Sequence, residues 1–302
     1  MNKTVLVTGA ASQIGVYLLP ALCRQNLDVV ALTRNVGAIR DGSRLAGGAA
    51  SFARWIECDI RHCPDGDTGV GAEALIHLAP LMTLPRLVPA FAARGGKRLI
   101  AFGSTGRYSK SHSDNMHERA FVAGTAEAEA AIARLCSERG IAWTIFRPTL
   151  IYGAGMDRNV TLIARMIRRY HCFPLLGASR GLRQPVHAAD LAEACRLALD
   201  NPSTYGMAYN LSGGETLTYL DMVRRIFAAQ NMEPRFVRVP LLFFRLAMWS
   251  ISRIPRYRDF NSQMARRMNE DLAFDHSDAA RDFGYAPRAF QPALVCATID
   301  AG

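Results

Sequence analysis

Apolar and polar positions fall into two textures along this chain. Over the first half, short apolar runs (residues 4–8, 28–32, 53–57, 74–78, 98–103 and 142–146) are separated by stretches with helical spacing at 13–25, 85–94 and 123–139. Such alternation predicts βαβ units joined into a parallel sheet, an α/β fold. In the 123–139 stretch, Ala126, Ala130 and Ala133 lie with Ile132 and Leu135 on a small apolar face that permits close helix packing. After Gly153 the texture changes. Helical patterns at 159–170, 189–199, 218–230 and 241–254 are divided by Pro- and Gly-rich loops. The expected organisation is a doubly wound α/β domain over residues 1–153 and a smaller, mainly helical domain over 154–302, with some segments returning to the sheet. No internal repeat or low-complexity tract is visible.

Composition narrows the class. The 302 residues are 50% hydrophobic and 21% charged, as in a folded globular protein. No run of about twenty uncharged apolar residues exists, so no membrane span is expected. A first strand starting at residue 4 leaves no room for a secretory leader, and a cytoplasmic location is expected. The seven cysteines (23, 58, 63, 136, 172, 195 and 296) contain no CxxC and no pairing pattern, which suits reduced thiols. His62–Cys63 and His171–Cys172 are adjacent pairs, but four ligands at metal spacing are absent, so no metal is expected. The net charge of +10 is concentrated: residues 224–267 hold ten Arg against Glu233 and Asp259, or +8. A solvated basic face is the preferred reading, ahead of an anionic ligand or an acidic membrane surface. The 241–254 stretch, apolar on most sides but for Arg245 and Arg253, is read as a core or oligomer-contact helix rather than a membrane-surface one. Nucleic acid is not expected, because no aromatic-and-basic platform or helix-turn-helix pattern appears.

The candidate chemistry begins at VLVTGAASQIG, residues 5–15. An apolar strand runs into a Gly-rich turn, and a helical pattern follows at once. That arrangement brings backbone N–H groups and the positive end of a helix to a dinucleotide pyrophosphate.

The motifs along the chain resemble, in order, those of the extended short-chain dehydrogenase/reductases, the NAD-dependent epimerase/dehydratase type. Thr8-Gly9-Ala10-Ala11-Ser12-Gln13-Ile14-Gly15 is similar to TGxxGxxG, and Cys58-Asp59-Ile60 to the acidic segment that touches the adenine. Ile76-His77-Leu78-Ala79 resembles the HxAA segment, and Ser104-Thr105-Gly106-Arg107-Tyr108 the SSxxxY segment with its catalytic Ser. Arg147-Pro148-Thr149-Leu150-Ile151-Tyr152-Gly153 resembles the RPxxxYG turn that lines the nicotinamide, and Val186-His187-Ala188-Ala189-Asp190 the VHxxD segment. Tyr209-Asn210-Leu211-Ser212 and Phe283-Gly284-Tyr285-Ala286-Pro287 match two later landmarks. The resemblance implies a Rossmann-type fold, a bound NAD or NADP, a small-molecule substrate such as a nucleotide-sugar, and a homodimer. It assigns the pyrophosphate to Gly9, Ser12, Gln13, Ile14 and Gly15, the adenine to Asp59 and Ile60, the ribose side to Leu78 and Ala79, the nicotinamide side to Pro148, and the reacting centre to Ser104.

Three departures from the family pattern matter. Ser12 stands where the middle Gly lets the backbone approach the phosphates. Arg34, just past the second strand, stands where NAD-preferring members carry an acid, and a guanidinium there favours a 2′-phosphate; NADP is therefore the preferred cofactor. The third departure concerns catalysis. Glu129 fits the family's Glu, which places Thr125 at its Lys and Phe121 at its Tyr. Lysine occurs only at 3, 97 and 110, so no Tyr is followed four residues later by Lys in any register. Phe121 has no proton to exchange and Thr125 no charge. Three readings stay open: a substitute acid/base from Tyr108, Lys110, His112 or His117 serves an oxidoreductase or isomerase, with Tyr108 the favoured candidate; the cofactor alone carries a different reaction in which a bound substrate acid gives the proton; or the chain is a cofactor-binding structural, sensing or assembly subunit without turnover.

Overall fold

The structure is a computed structural model that describes residues 3–40, 48–109, 116–239 and 268–293. The 241–254 stretch, most of the basic 224–267 segment, Lys110 and His112 lie outside the described residues.

Two compact units are formed. The first takes residues 1–149, 186–212 and 274–287, and the second takes 150–185, 213–273 and 288–302. The sequence expectation places the boundary at 153/154 with some segments returning to the sheet; in the compact units the segments that join the first are 186–212 and 274–287.

The first unit is a seven-stranded, all-parallel sheet built from β1 (Thr4–Thr8), β2 (Asp28–Thr33), β3 (Arg54–Glu57), β4 (Ala74–His77), β5 (Arg98–Phe102), β6 (Ala142–Pro148) and β7 (Met207–Leu211). Their order is β7-β6-β5-β4-β1-β2-β3. The order reverses between β1 and β4, where Thr8 lies opposite His77, and the loops after these two strands open the crevice in which such sheets bind ligands. The central strands are buried on both faces, since helices cover the sheet on either side. All five β5 residues and all four β4 residues are buried.

Helix α1 (Gln13–Cys23) follows the Gly-rich turn and buries Ile14, Gly15, Leu18, Leu19, Ala21 and Leu22. Its closely packed partner is α6 (Ala188–Ala198), whose small residues Ala188, Ala192, Ala194 and Ala198 let the two helices approach. The sequence places this helix in the second domain, at 189–199. Its small buried face instead matches α1, and it covers the first unit. Helix α2 (Val88–Ala93) and the short α3 (Gly106–Ser109) precede α4 (Met116–Glu138). Helix α4 starts seven residues earlier than the alanine pattern alone suggests. Residues 116–122 contain neither Gly nor Pro, and Glu118 in the first turn complements the helix dipole.

The second unit packs α5 (Val160–Tyr170) and α7 (Tyr219–Ala229) with the parallel strand pair Phe173–Leu176 and Phe236–Val239. Both helices are amphipathic. Val160, Ile163, Ala164 and Ile167 join Tyr219, Met222, Val223, Ile226 and Phe227 in one core. Thr218 caps α7, accepting the amide of Asp221 at 3.0 Å. The last helix described, α8 (Ser277–Phe283), returns to the first unit, where Tyr209 donates to Asp282 at 2.9 Å.

Candidate active site

The Gly-rich turn is fixed by steric necessity. Gly9 has φ +66, and a Cβ there would stand 2.6 Å from the Ala79 amide nitrogen and 2.7 Å from the Leu78 carbonyl carbon. The loop after β1 therefore touches the backbone of Leu78 and Ala79 directly. At Gly15 a Cβ would fall 1.8 Å from the Ala10 carbonyl oxygen, so only glycine closes this turn. Ser12 takes the family's glycine position as the N-cap of α1. Its hydroxyl accepts the Gly15 amide at 3.4 Å, and its own amide donates to the Gly9 carbonyl at 3.0 Å. Among the described residues, nothing accepts from the amides of Gln13 and Ile14. The first turn of α1 has no acidic side chain to neutralise the helix end. The carboxamide oxygen of Gln13 is buried and has no hydrogen-bond partner. A bare helix N-terminus is what a phosphate satisfies, and the orphaned Gln13 carboxamide oxygen calls for a donor such as a ribose hydroxyl, so the residues present fit a dinucleotide here.

Arg34 and Asp59 lie at the same sheet edge, past β2 and β3. Arg34 is exposed and has no ion-pair partner among the described residues. The nearby Glu57 carboxylate is taken by the Val36 amide at 3.1 Å. Asp59 is gripped by Arg61, with Nε at 2.9 Å from one carboxylate oxygen and Nη2 at 2.5 Å from the other. These hydrogen bonds hold the Asp59 carboxyl far below the usual carboxylate range. Ile60 is buried behind it.

Beyond β5 the chain assembles a cluster of charges. Ser104 accepts the Gly106 amide at 3.0 Å. Thr105 donates both its amide (3.1 Å) and its hydroxyl (3.0 Å) to the Pro148 carbonyl, which ties the loop after β5 to the end of β6. Glu129, only 5% exposed, receives Arg147 (Nη2 at 2.6 Å) and Arg107. It lies so near the loop that a Cβ at Gly103 would meet its Oε1 at 2.8 Å. Burial works against the Arg147 charge, but the Glu129 carboxylate outweighs it and raises the guanidinium pKa above its ordinary value. The other end of the Arg147 guanidinium donates to the Tyr108 hydroxyl at 3.0 Å. Tyr108 is 45% exposed, with the Phe274 ring 5.7 Å away.

Ser104, Tyr108 and Pro148 are thus brought together, whereas the family's Tyr and Lys positions supply no titratable group. Phe121 is 49% exposed, and the buried Thr125 spends its hydroxyl on the Phe121 carbonyl at 2.8 Å, one helical turn back. His117 is exposed on the first turn of α4. His77 is a core residue. Thr8 Oγ1 lies 2.7 Å from its Nδ1, and burial lowers its pKa to about 4, keeping the ring neutral. The partnership of Glu129 with Arg107 and Arg147 was not legible in the chain. Its only sequence signal is a Glu followed eighteen residues later by an Arg-Pro turn, and a short peptide spacing does not record which loops meet.

The arrangement can hold a phosphorylated dinucleotide along the β1–β4 crevice and present a phenol, a guanidinium and a hydroxyl beyond β5. Comparison with known proteins agrees with this architecture. The model of the NAD dependent epimerase/dehydratase family matches residues 5–212. The uncharacterized protein YbjS of Escherichia coli K12 is 25% identical over 317 residues, covering 94% of this chain and 93% of that one. The UDP-glucose 4-epimerase of Vibrio cholerae is 22% identical over 137 residues, 45% of this chain and 42% of that one. Among solved structures, MoeE5 in complex with UDP-glucuronic acid and NAD superposes with a TM-score of 0.73 over 98% of both chains at 17% identity, which establishes a common fold. With the seven-stranded parallel sheet, the Gly-rich turn at its switch point and a family match across most of the chain, this protein belongs to the NAD-dependent epimerase/dehydratase family.

Proposed function

We propose that this chain binds NADP(H) in preference to NAD(H) and is an oxidoreductase or isomerase acting on a nucleotide-sugar or another alcohol or carbonyl substrate. In this reading Tyr108 and Arg147 do the work of the missing Tyr–Lys pair. The observation that carries it is the 3.0 Å hydrogen bond from Arg147 Nη1 to the Tyr108 hydroxyl. A phenol exchanges its proton with a substrate oxygen most readily when a fixed cation stabilises the phenolate, and Arg147 is a cation held in place by the buried Glu129. Ser104 donates its hydroxyl to the same reacting oxygen. A bound nicotinamide supplies the hydride donor or acceptor. Gln13 and Ile14 amides face the pyrophosphate, Asp59 and Ile60 the adenine, and Leu78, Ala79 and Pro148 line the ribose and nicotinamide side. NADP is preferred because Arg34, free of any described partner, matches a 2′-phosphate. The nucleotide-sugar class is supported by the UDP-sugars named with the similar epimerases and solved structures. A second reading, a cofactor-binding subunit without turnover, is favoured by the Phe121 and Thr125 pair alone.

The test combines calorimetry with turnover. NADPH binds more tightly than NADH, and a panel of UDP-sugars and simple alcohols and carbonyls yields cofactor-dependent conversion. Tyr108→Phe then lowers kcat by about a hundredfold or more with NADPH affinity kept, as loss of a general acid/base does, and Ser104→Ala lowers kcat as well. Binding of NADPH with no conversion across the panel selects the second reading, and failure of both nucleotides to bind sinks both.

A further inference from the structure

The segment from Cys58 to Cys63 carries a feature that cofactor binding does not require. The two thiol sulfurs stand 2.9 Å apart, in a loop braced at both ends. Cys58 donates its amide to the Thr33 carbonyl at 2.8 Å, and Arg86 Nη2 donates to the Cys63 carbonyl at 3.0 Å. Cys58 is half-buried and reachable, whereas Cys63 is buried beneath it and donates its thiol hydrogen to the Asp59 carbonyl at 3.5 Å. The pair therefore encloses Asp59 and Ile60, the residues given to the adenine. Of the other described cysteines, Cys136 and Cys195 are buried, Cys172 is half-buried and Cys23 is exposed.

We propose that Cys58 and Cys63 form a reversible intrachain disulfide, by exchange with a small-molecule disulfide, that weakens cofactor binding at the adenine end. The Cys58 thiolate attacks one sulfur of the small disulfide, breaking its S–S bond, forming a mixed disulfide and releasing one small thiolate. The Cys63 thiolate then attacks Cys58 Sγ and expels the second. The two cysteines lose two electrons and two protons, and the small disulfide leaves as two thiols, so no other oxidant is needed. Closing the bond draws the sulfurs from 2.9 Å to about 2.05 Å and removes the hydrogen that ties Cys63 to the Asp59 carbonyl. Because the loop ends are held, the displacement falls on Asp59 and Ile60. Burial pushes the Cys58 thiol up to about 12, so exchange is slow at neutral pH and the experiment runs for hours under mildly alkaline conditions.

The consequence for binding rests on the dinucleotide reading, but the bond itself does not, and the experiment separates them. Full-length protein is equilibrated with oxidised and reduced glutathione at graded ratios, trapped with an alkylating agent, digested and mapped by mass spectrometry. The expected product is a peptide pair joined through Cys58 and Cys63, formed and reversed with the ratio, and absent in Cys58→Ser and Cys63→Ser but present in Cys23→Ser. Glutathione left singly on Cys58 or Cys23, with no link between Cys58 and Cys63, overturns the proposal. NADPH titration then gives a several-fold higher Kd for oxidised than for reduced wild type and no difference for Cys63→Ser. Equal affinities for the two wild-type states overturn the coupling. If neither state binds NADPH or NADH, the dinucleotide reading and the coupling both fall, while a mapped Cys58–Cys63 bond still stands.

Discussion

At the scale of single residues, this chain uses similar side chains for opposite purposes according to what surrounds them. Arg34 is exposed and has no ion-pair partner among the described residues. Arg98, by contrast, is buried under the sheet, where its guanidinium donates to the carbonyls of Ala198 and Leu199 (2.8 and 3.0 Å) at the C-terminal end of α6. Arg183, in the second unit, is likewise satisfied by the carbonyls of Leu182 and Glu270. Three arginines in a basic chain look alike in sequence, and only burial distinguishes a solvent-exposed cation from a structural one. His77 shows the same point and gives a pH prediction. Burial lowers its pKa from 6.5 to about 4. The unfolded chain thus takes up a proton near pH 6.5 that the folded chain refuses until near pH 4. The stability that a neutral His77 contributes is complete above pH 6.5 and is lost as pH falls through that window. Between pH 7 and pH 5 the loss is about 2 kcal/mol at the linkage slope for one proton. Urea unfolding of wild type and His77→Gln at the two pH values checks it. The gap between the two proteins narrows by that amount at pH 5, and an unchanged gap rules the assignment out.

At the scale of elements, the turn between β1 and α1 is the most tightly determined piece of the molecule. Gly15→Ala places a methyl 1.8 Å from the Ala10 carbonyl oxygen, backbone against backbone, where no rotamer relieves it. The turn must open, α1 loses its seat on α6, and denaturation is expected to show a loss of about 3 kcal/mol or more, in the range of severe packing and backbone faults. Ser12→Gly, which restores the family residue, removes only an N-cap hydroxyl and costs a few tenths of a kcal/mol, whereas Ser12→Ala costs about 1 kcal/mol. Finding Gly15→Ala as stable as Ser12→Gly contradicts this account of the turn. The turn was readable from sequence because the contact of Gly15 with Ala10 and the Ser12 cap lie within about ten residues, although the approach of Gly9 to Leu78 and Ala79 is set by the fold. The start of α4 was not, because its first seven residues precede the alanine face that marks the helix, and neither was the membership of α6, which depends on a partner helix far away along the chain.

At the scale of the whole molecule, charge is the property sequence states most completely. The chain carries +10, with +8 of it between residues 224 and 267. No helix among the described residues is long and apolar enough to cross a membrane. A solvated basic face is screened at physiological salt, so the protein is expected to stay in the supernatant when spun with vesicles of mixed neutral and anionic lipid. Sedimentation of most of it at that salt would reinstate the membrane-surface reading. The parallel sheet, the cofactor turn, the irregular Ser12 and the absence of a Tyr–Lys pair were all fixed by residue order, because periodicity, short turns and missing residue types are local or countable properties. Tertiary structure alone decided three things. It put residues 186–212 and 274–287 with the first unit. It joined Glu129 to Arg107, Arg147 and through Arg147 to Tyr108. It also brought Cys58 against Cys63 at a spacing that no sequence pattern flags. Each of these depends on which loops a folded sheet carries to the same edge and how far the chain curls there, and one-dimensional spacing does not contain that distance.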